Sequence, residues 1–292
     1  MSFLTEQLFF VGPGRAGLAL GYALWRADGA DSITFCGRSP DPPAHPIFIQ
    51  GGARYVFGLE RPGSGTTVVI LSVPEKALPK VALRLAALGE APAGCIALHL
   101  SGAMGADPLA PLLDVGYATG TMHPLQALAD PVLGAEQLKG SYFAVSGGPE
   151  AISTVRRLLH YLGSRGITVP IARRPLYHAA AVLASNYLTV LLAAAGRLMA
   201  QAGVPEDEAL DAILPLARGS LDNLGRLGPV RALTGPVSRG DVETVRLHLR
   251  TLARSERALY SALGLEALGL AREAGLDAET LKVLQQIFER EK

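Results

Sequence analysis

The sequence predicts an α/β protein, with a mainly parallel sheet and its covering helices over residues 1–172 and an all-helical region over 173–292. Three observations carry that prediction. Short, wholly apolar runs alternate with helix-length segments through the first part, as in repeated βαβ units. A glycine-rich turn joins the first such run to a helix. Beyond Arg173-Arg174-Pro175 the strand signal nearly vanishes and long helical patterns take over.

In chain order, Leu8-Phe9-Phe10-Val11 reads as a strand buried on both faces. It runs into Gly12-Pro13-Gly14-Arg15-Ala16-Gly17, whose glycines have G-x-G-x-x-G spacing, and then into a helix over 15–28 that stops at Gly29. In such a segment Gly12 makes the tight turn, Gly14 lets the backbone approach a pyrophosphate, and Gly17 lets the helix pack on the strand. The helix mouth offers unpaired N–H groups and a positive dipole end, so residues 12–17 predict a dinucleotide site. Ser32-Ile33-Thr34-Phe35-Cys36 forms the second strand. The Pro- and Gly-rich stretch 40–62 holds only short fragments, such as Ile47-Phe48-Ile49 and Tyr55-Val56-Phe57. Residues 66–73 form a strong strand that meets Pro74, and 76–88 a helix. Further strands are expected at 95–100, 117–122, 142–145 and 167–171. Helices follow over 176–202, 205–224, 241–263 and 265–289, with Asp241 capping the third and Gly275 interrupting the fourth.

Composition narrows the function classes. Apolar residues make up 49% and charged residues 18%, which suits a globular chain. Lys+Arg 27 against Asp+Glu 26 leaves a net charge of +1, without the basic footprint of a nucleic-acid or anionic-membrane binder. Cys36 and Cys95 stand far apart with no metal-type spacing, so neither a disulfide framework nor a metal site is expected, and a reducing cytoplasm fits. Residues 1–7 lack the features of a signal peptide. The uncharged stretch 179–196 contains Ser185, Asn186, Tyr187 and Thr189 and much alanine. It reads as a central helix of a soluble protein buried on all sides, not as a membrane span. A small helical domain hides such a helix most easily against a second copy, so a homodimer through this region is expected.

The end of the second strand, where an acidic residue would hold the ribose hydroxyls of NAD, reads Cys36-Gly37-Arg38-Ser39. An arginine fork and a hydroxyl suit a 2′-phosphate, so NADP(H) is expected over NAD(H), with Arg38 and Ser39 as its contacts. Ser72-Val73-Pro74, at the end of another strand, is expected to pass the cofactor's ribose and pyrophosphate.

Ligands of open α/β sheets bind beyond the carboxyl ends of the strands. Two polar motifs sit there: His99-Leu100-Ser101-Gly102-Ala103 and Thr121-Met122-His123-Pro124. Ser101 and His123 are candidate substrate contacts, whereas His99, inside its strand, reads as structural. On the first long helix His178 and Ser185 lie about 20° apart, close to Thr189, with Asn186 about 80° to one side. This narrow polar stripe either faces the substrate or bonds neighbouring helices in a dimer. The loop Thr234-Gly235-Pro236-Val237-Ser238-Arg239-Gly240 either connects helices or lines a cleft, with Arg239 placed to hold a carboxylate.

The motifs GPGRAG, HLSGA, HPLQAL, YHAAAVLASNYL and ALTGPVSRGD, in this order, resemble the bacterial Rossmann-like proteins with domain of unknown function 2520. That family resembles the 6-phosphogluconate dehydrogenase superfamily, which includes ketopantoate reductases, pyrroline-5-carboxylate reductases, β-hydroxyacid dehydrogenases and prephenate dehydrogenases. The resemblance implies a nucleotide domain followed by a helical, often dimerising, domain. The Lys that many β-hydroxyacid dehydrogenases place four residues before an Asn is replaced here by Val182, ahead of Asn186; His178 is the nearest substitute. Ser101 and His123-Pro124 are similar to a Ser and a His-Pro of prephenate dehydrogenases, which implies that both face a substrate. The expected activity is hydride transfer between NADP(H) and a small anionic carbonyl or imine compound, or the matching alcohol or amine. His178 or His123 would exchange the proton, Ser101 and Asn186, with Ser185 beside it, would align the substrate, and Arg239 would neutralise its carboxylate. The alternatives are a non-catalytic NADP(H)-binding regulator or scaffold, and a membrane-associated protein built on the 179–196 helix.

Overall fold

The computed structural model describes residues 6–290, so the reading of 1–7 as free of a signal peptide falls largely outside the described residues. Eight strands among the described residues form one sheet: β1 (Glu6–Val11), β2 (Ala30–Gly37), β3 (Arg54–Phe57), β4 (Val68–Leu71), β5 (Ile96–His99), β6 (Ala118–Pro124), β7 (Tyr142–Gly147) and β8 (Arg165–Thr168). Their order is β3-β2-β1-β4-β5-β6-β7-β8. Every neighbouring pair is parallel except β6 and β7. The order reverses between β1 and β4, the position where doubly wound sheets open a crevice.

Alternation along β1 builds two cores at once. Leu8 and Phe10 join one apolar cluster with Ile33, Phe35, Val68, Ile70 and Leu98, while Phe9 and Val11 join another with Cys36, Val69, Leu71 and Ala97. Helices cover both faces, which is why β4 and residues 8–11 of β1 are apolar at every position. Phe10 stacks on Phe35 with ring centroids 4.5 Å apart, locking β1 to β2 at the residues that face each other in register.

Two local expectations are corrected, and a fragment left unassigned takes shape. Residues 47–49 belong to a short helix, Pro46–Ile49, because Pro46 presets the first turn and the His45 ring caps the Ile47 N–H at 3.2 Å. The last strand stops at Thr168; Pro170 lacks an N–H to extend it, and Ile171 opens a 3₁₀ turn. The 241–263 and 265–289 helices are three: Val242–Thr251, Arg254–Glu273 and Ala278–Glu289. No Gly or Pro marks the first break, where Leu252 and Ala253 become extended. Asp241 does cap its helix, accepting from the Thr244 N–H at 3.0 Å, and Gly275 at φ +97° ends the Arg254–Glu273 helix.

By packing, the chain divides into two compact units, Met1–Asn186 and Tyr187–Lys292. The second has a small core of Val245, Leu249, Leu268, Ala271, Leu281, Leu284 and Phe288. A helical run from Ile171 to Gln201 is long and apolar enough to cross a membrane, yet only 6% of its most apolar window is buried within the chain. The expected burial on all sides is therefore not met by one chain. A π-helical turn, Leu183–Tyr187, interrupts this run and holds Ser185 and Asn186. Its extra residue breaks the even helical phase from which the polar stripe was derived.

Candidate functional site

The site begins at the glycine turn. Gly12 has φ +99°, a conformation that favours glycine, and a Cβ there would lie 2.9 Å from Val73 Cγ1. A Cβ on Gly17 would lie 3.0 Å from the Gly12 carbonyl oxygen and would collide with the Ser72 side chain. The Ser72 hydroxyl donates to that same carbonyl at 2.6 Å, so it clips the turn to the end of β4. Gly14 caps the Arg15–Arg26 helix in extended conformation with no side-chain hydrogen bond, which leaves the amides of Arg15, Ala16 and Gly17 without an intrahelical acceptor. Pro13 packs against Gly37 at the end of β2, which brings Arg38 and Ser39 beside the turn; Arg38 is exposed and Ser39 accepts from Tyr55 Oη at 2.6 Å. A turn that excludes Cβ atoms and opens on free helix amides fits the diphosphate of a dinucleotide.

Register carries the site across the sheet. Val11 pairs with Leu71, Leu71 with His99, and His99 with Thr121, so the carboxyl ends of β1, β4, β5 and β6 stand side by side. His99 is structural, as expected. Its Nδ1 accepts from the Ser101 N–H at 3.1 Å, so its Nε2–H donates to the Gly105 carbonyl at 2.6 Å. Burial lowers its pKa. Ser101 is buried; its hydroxyl donates to the Glu75 carboxylate in a short bond and accepts from the Met104 N–H at 3.2 Å.

His123 lies at the end of β6. Its Nδ1 is 2.8 Å from the Tyr177 hydroxyl, and its ring centroid is 6.1 Å from that of His178. Burial, then His178 and Arg174, lower its pKa to about 4. Gly102 fits between the two imidazoles, where a Cβ would be 2.8 Å from His123 Nε2 and 2.9 Å from His178 Nδ1. That His178 nitrogen is buried without a hydrogen-bond partner.

Beneath them Arg174 is wholly buried. It donates to the Met104 carbonyl at 2.8 Å, to Thr121 Oγ1 at 2.6 Å and to Ser146 Oγ at 3.1 Å, while its Nε has no partner. No carboxylate of the described residues pairs with it. Burial lowers its pKa, and its hydrogen bonds go only to neutral acceptors.

The structure thus gathers Ser101, His123 and His178. Ser185 and Asn186 are in the π-helical turn, and Arg239 is an exposed residue of the second unit, in a loop closed by Ser238 Oγ on the Gly235 carbonyl at 3.0 Å. Glu75, Arg174 and Tyr177 escaped sequence reasoning. Glu75 had one usable signal, a carboxylate directly after the strand-ending Pro74; Arg174 had another, a charge at the mouth of an apolar helix. The described residues hold no cluster of His, Cys, Asp or Glu suited to a metal.

Comparison with known proteins agrees with this architecture. A Rossmann-like domain model matches residues 7–124, and the model of a domain of unknown function, DUF2520, matches residues 141–267. No curated protein matches the sequence. Among solved structures the chain is similar to a protein of Bacteroides fragilis described as an NADP oxidoreductase, with TM-score 0.69 and 20% identity over 92% of this chain and 98% of that one. It is also similar to protein TM1727 of Thermotoga maritima, with TM-score 0.61 and 24% identity over 97% and 99%. A third is the pyrroline carboxylate reductase of Plasmodium falciparum, solved with NADP bound, with TM-score 0.59 and 10% identity over 98% and 97%. The chain therefore carries a Rossmann-like domain followed by the domain of unknown function DUF2520.

Proposed function

We propose that the protein is an NADP(H)-dependent oxidoreductase acting on a small, anionic carbonyl or imine compound or the corresponding alcohol or amine. The observation that carries this reading is the adjacency, along four neighbouring strand ends, of a phosphate-fitting glycine turn and a cluster of two histidines, a serine and a glutamate. The nucleotide-binding folds of the Bacteroides and Plasmodium proteins support it. When bound, the cofactor supplies or takes the hydride. Residues 12–17 and the backbone of 72–74 would hold its diphosphate, and Arg38 with Ser39 its 2′-phosphate. His123 and His178 would face the reacting carbon's oxygen or nitrogen. Ser101, engaged with Glu75, would hold that carboxylate in place. Asn186, Ser185 and Arg239 remain candidate contacts with the rest of the substrate, Arg239 through its charge. The exposed apolar run within 171–201 supports a homodimer through the helical region, and the net charge of +1 speaks against nucleic acid or an anionic membrane as a partner of a cytoplasmic enzyme.

Fluorescence titration tests the cofactor: NADPH should bind more tightly than NADH, and Arg38→Asp should erase the difference. An unchanged ratio removes Arg38 from the site. Turnover is tested by NADPH oxidation with a panel of oxo acids, aldehydes and cyclic imines. Tight NADPH binding without any turnover would favour the regulator reading, which the replacement of the expected Lys by Val182 supports.

A further inference from the structure

We infer that Tyr177 is a positioning residue that fixes His123 as the Nε2–H tautomer, so that His123 serves as a hydrogen-bond donor to a substrate carbonyl oxygen and does not exchange the proton. This rests on the proposed placement of His123 against the substrate. The phenol comes from the long helix and the imidazole from β6, 54 residues earlier, with 2.8 Å between Tyr177 Oη and His123 Nδ1 and the rings edge to face at 5.6 Å. Tyr177 has no other hydrogen-bond partner among the described residues. Burial holds the phenol protonated, and the Nδ1 lone pair is the acceptor within its reach. Nδ1 therefore accepts, and the ring proton sits on Nε2, beside Gly102 at the strand-end cluster.

The surroundings keep the ring neutral. Burial first, then His178 and Arg174 from the long helix and His99 from β5, disfavour a second proton, and Glu75 from the turn after β4 favours one. An imidazole that stays neutral at physiological pH polarises an oxygen; it has no second proton to give. The same geometry chooses a substrate class. A carbonyl oxygen has lone pairs for the Nε2–H, whereas an iminium nitrogen has none, and the nearby Arg174 charge further disfavours a cation.

The test is ¹⁵N-histidine NMR on the full-length protein, with His123 assigned from the spectrum of His123→Gln. The wild type should show His123 protonated at Nε2 and unprotonated at Nδ1, without titration between pH 5 and pH 8. Tyr177→Phe, which keeps the ring contact, should give a mixture of both tautomers. A Nδ1–H pattern in the wild type, titration of His123 near pH 6.5, or an unaltered tautomer in Tyr177→Phe each overturns the inference; the first two need no variant to fold. NADPH oxidation by the wild type with carbonyl compounds supports the donor role, and oxidation with iminium compounds alone overturns it. NADPH titration is read separately: failure to bind sinks the oxidoreductase reading while the tautomer result stands.

Discussion

At the scale of single residues, His123 ties stability to pH. Its pKa is near 4 in the folded chain, below the 6.5 of an exposed histidine. Between those values the unfolded chain takes up a proton that the folded chain refuses, so the contribution is complete above about pH 6.5 and is lost as pH falls toward 4. The linkage amounts to roughly 2–3 kcal/mol. Chemical denaturation at pH 7 and pH 4.5 should show the loss, and His123→Gln should shrink it; His99 and His45, whose pKa values are also lowered by burial, should leave a remainder. Gly12→Ala should destabilise by on the order of 1–3 kcal/mol, because alanine is strained at φ +99° and its methyl meets Val73; NADPH binding should fall with it. A variant of wild-type stability and affinity would show that the turn tolerates a side chain. His123, Ser101 and His178 were legible as polar residues at strand ends or on an apolar helix face. Glu75 and Arg174 were not, because what defines them is a partner 26 and 53 residues away.

At the scale of elements, apolar runs located the strands well, since burial on both faces writes itself into consecutive residues. The same runs left 47–49 an unassigned fragment, which the structure makes part of a proline-started helical turn, and could not reveal a break at 252–253 that no Gly or Pro marks. The π-helical turn was invisible for a similar reason, because the periodicity of the residues assumes an unbroken helix. Arg174 joins the loop after β5, and strands β6 and β7, to the start of the long helix through Met104, Thr121 and Ser146. Arg174→Met should strip these buried acceptors of donors and cost about 3 kcal/mol or more, measured by urea unfolding. A neutral or stabilised variant would mean that the cation serves binding alone.

At the scale of the whole molecule, Leu176, Leu183, Tyr187 and Val190 are all more than half exposed on one helical run. Light scattering should find two chains per particle, and Leu183→Glu with Val190→Glu should produce single chains; a monomeric wild type would contradict the proposed dimer. The position of β1 has a separate consequence. This strand lies between β2 and β4, and its four residues from Leu8 to Val11 are buried on both sides. During synthesis it leaves the ribosome about sixty residues before Val68, the start of one of its two pairing partners. A nascent chain therefore carries a bare, sticky segment for several seconds at elongation rates of roughly 5–20 residues per second. Cells short of trigger-type chaperones should accumulate this protein in inclusion bodies before they lose proteins whose sheets start at an edge.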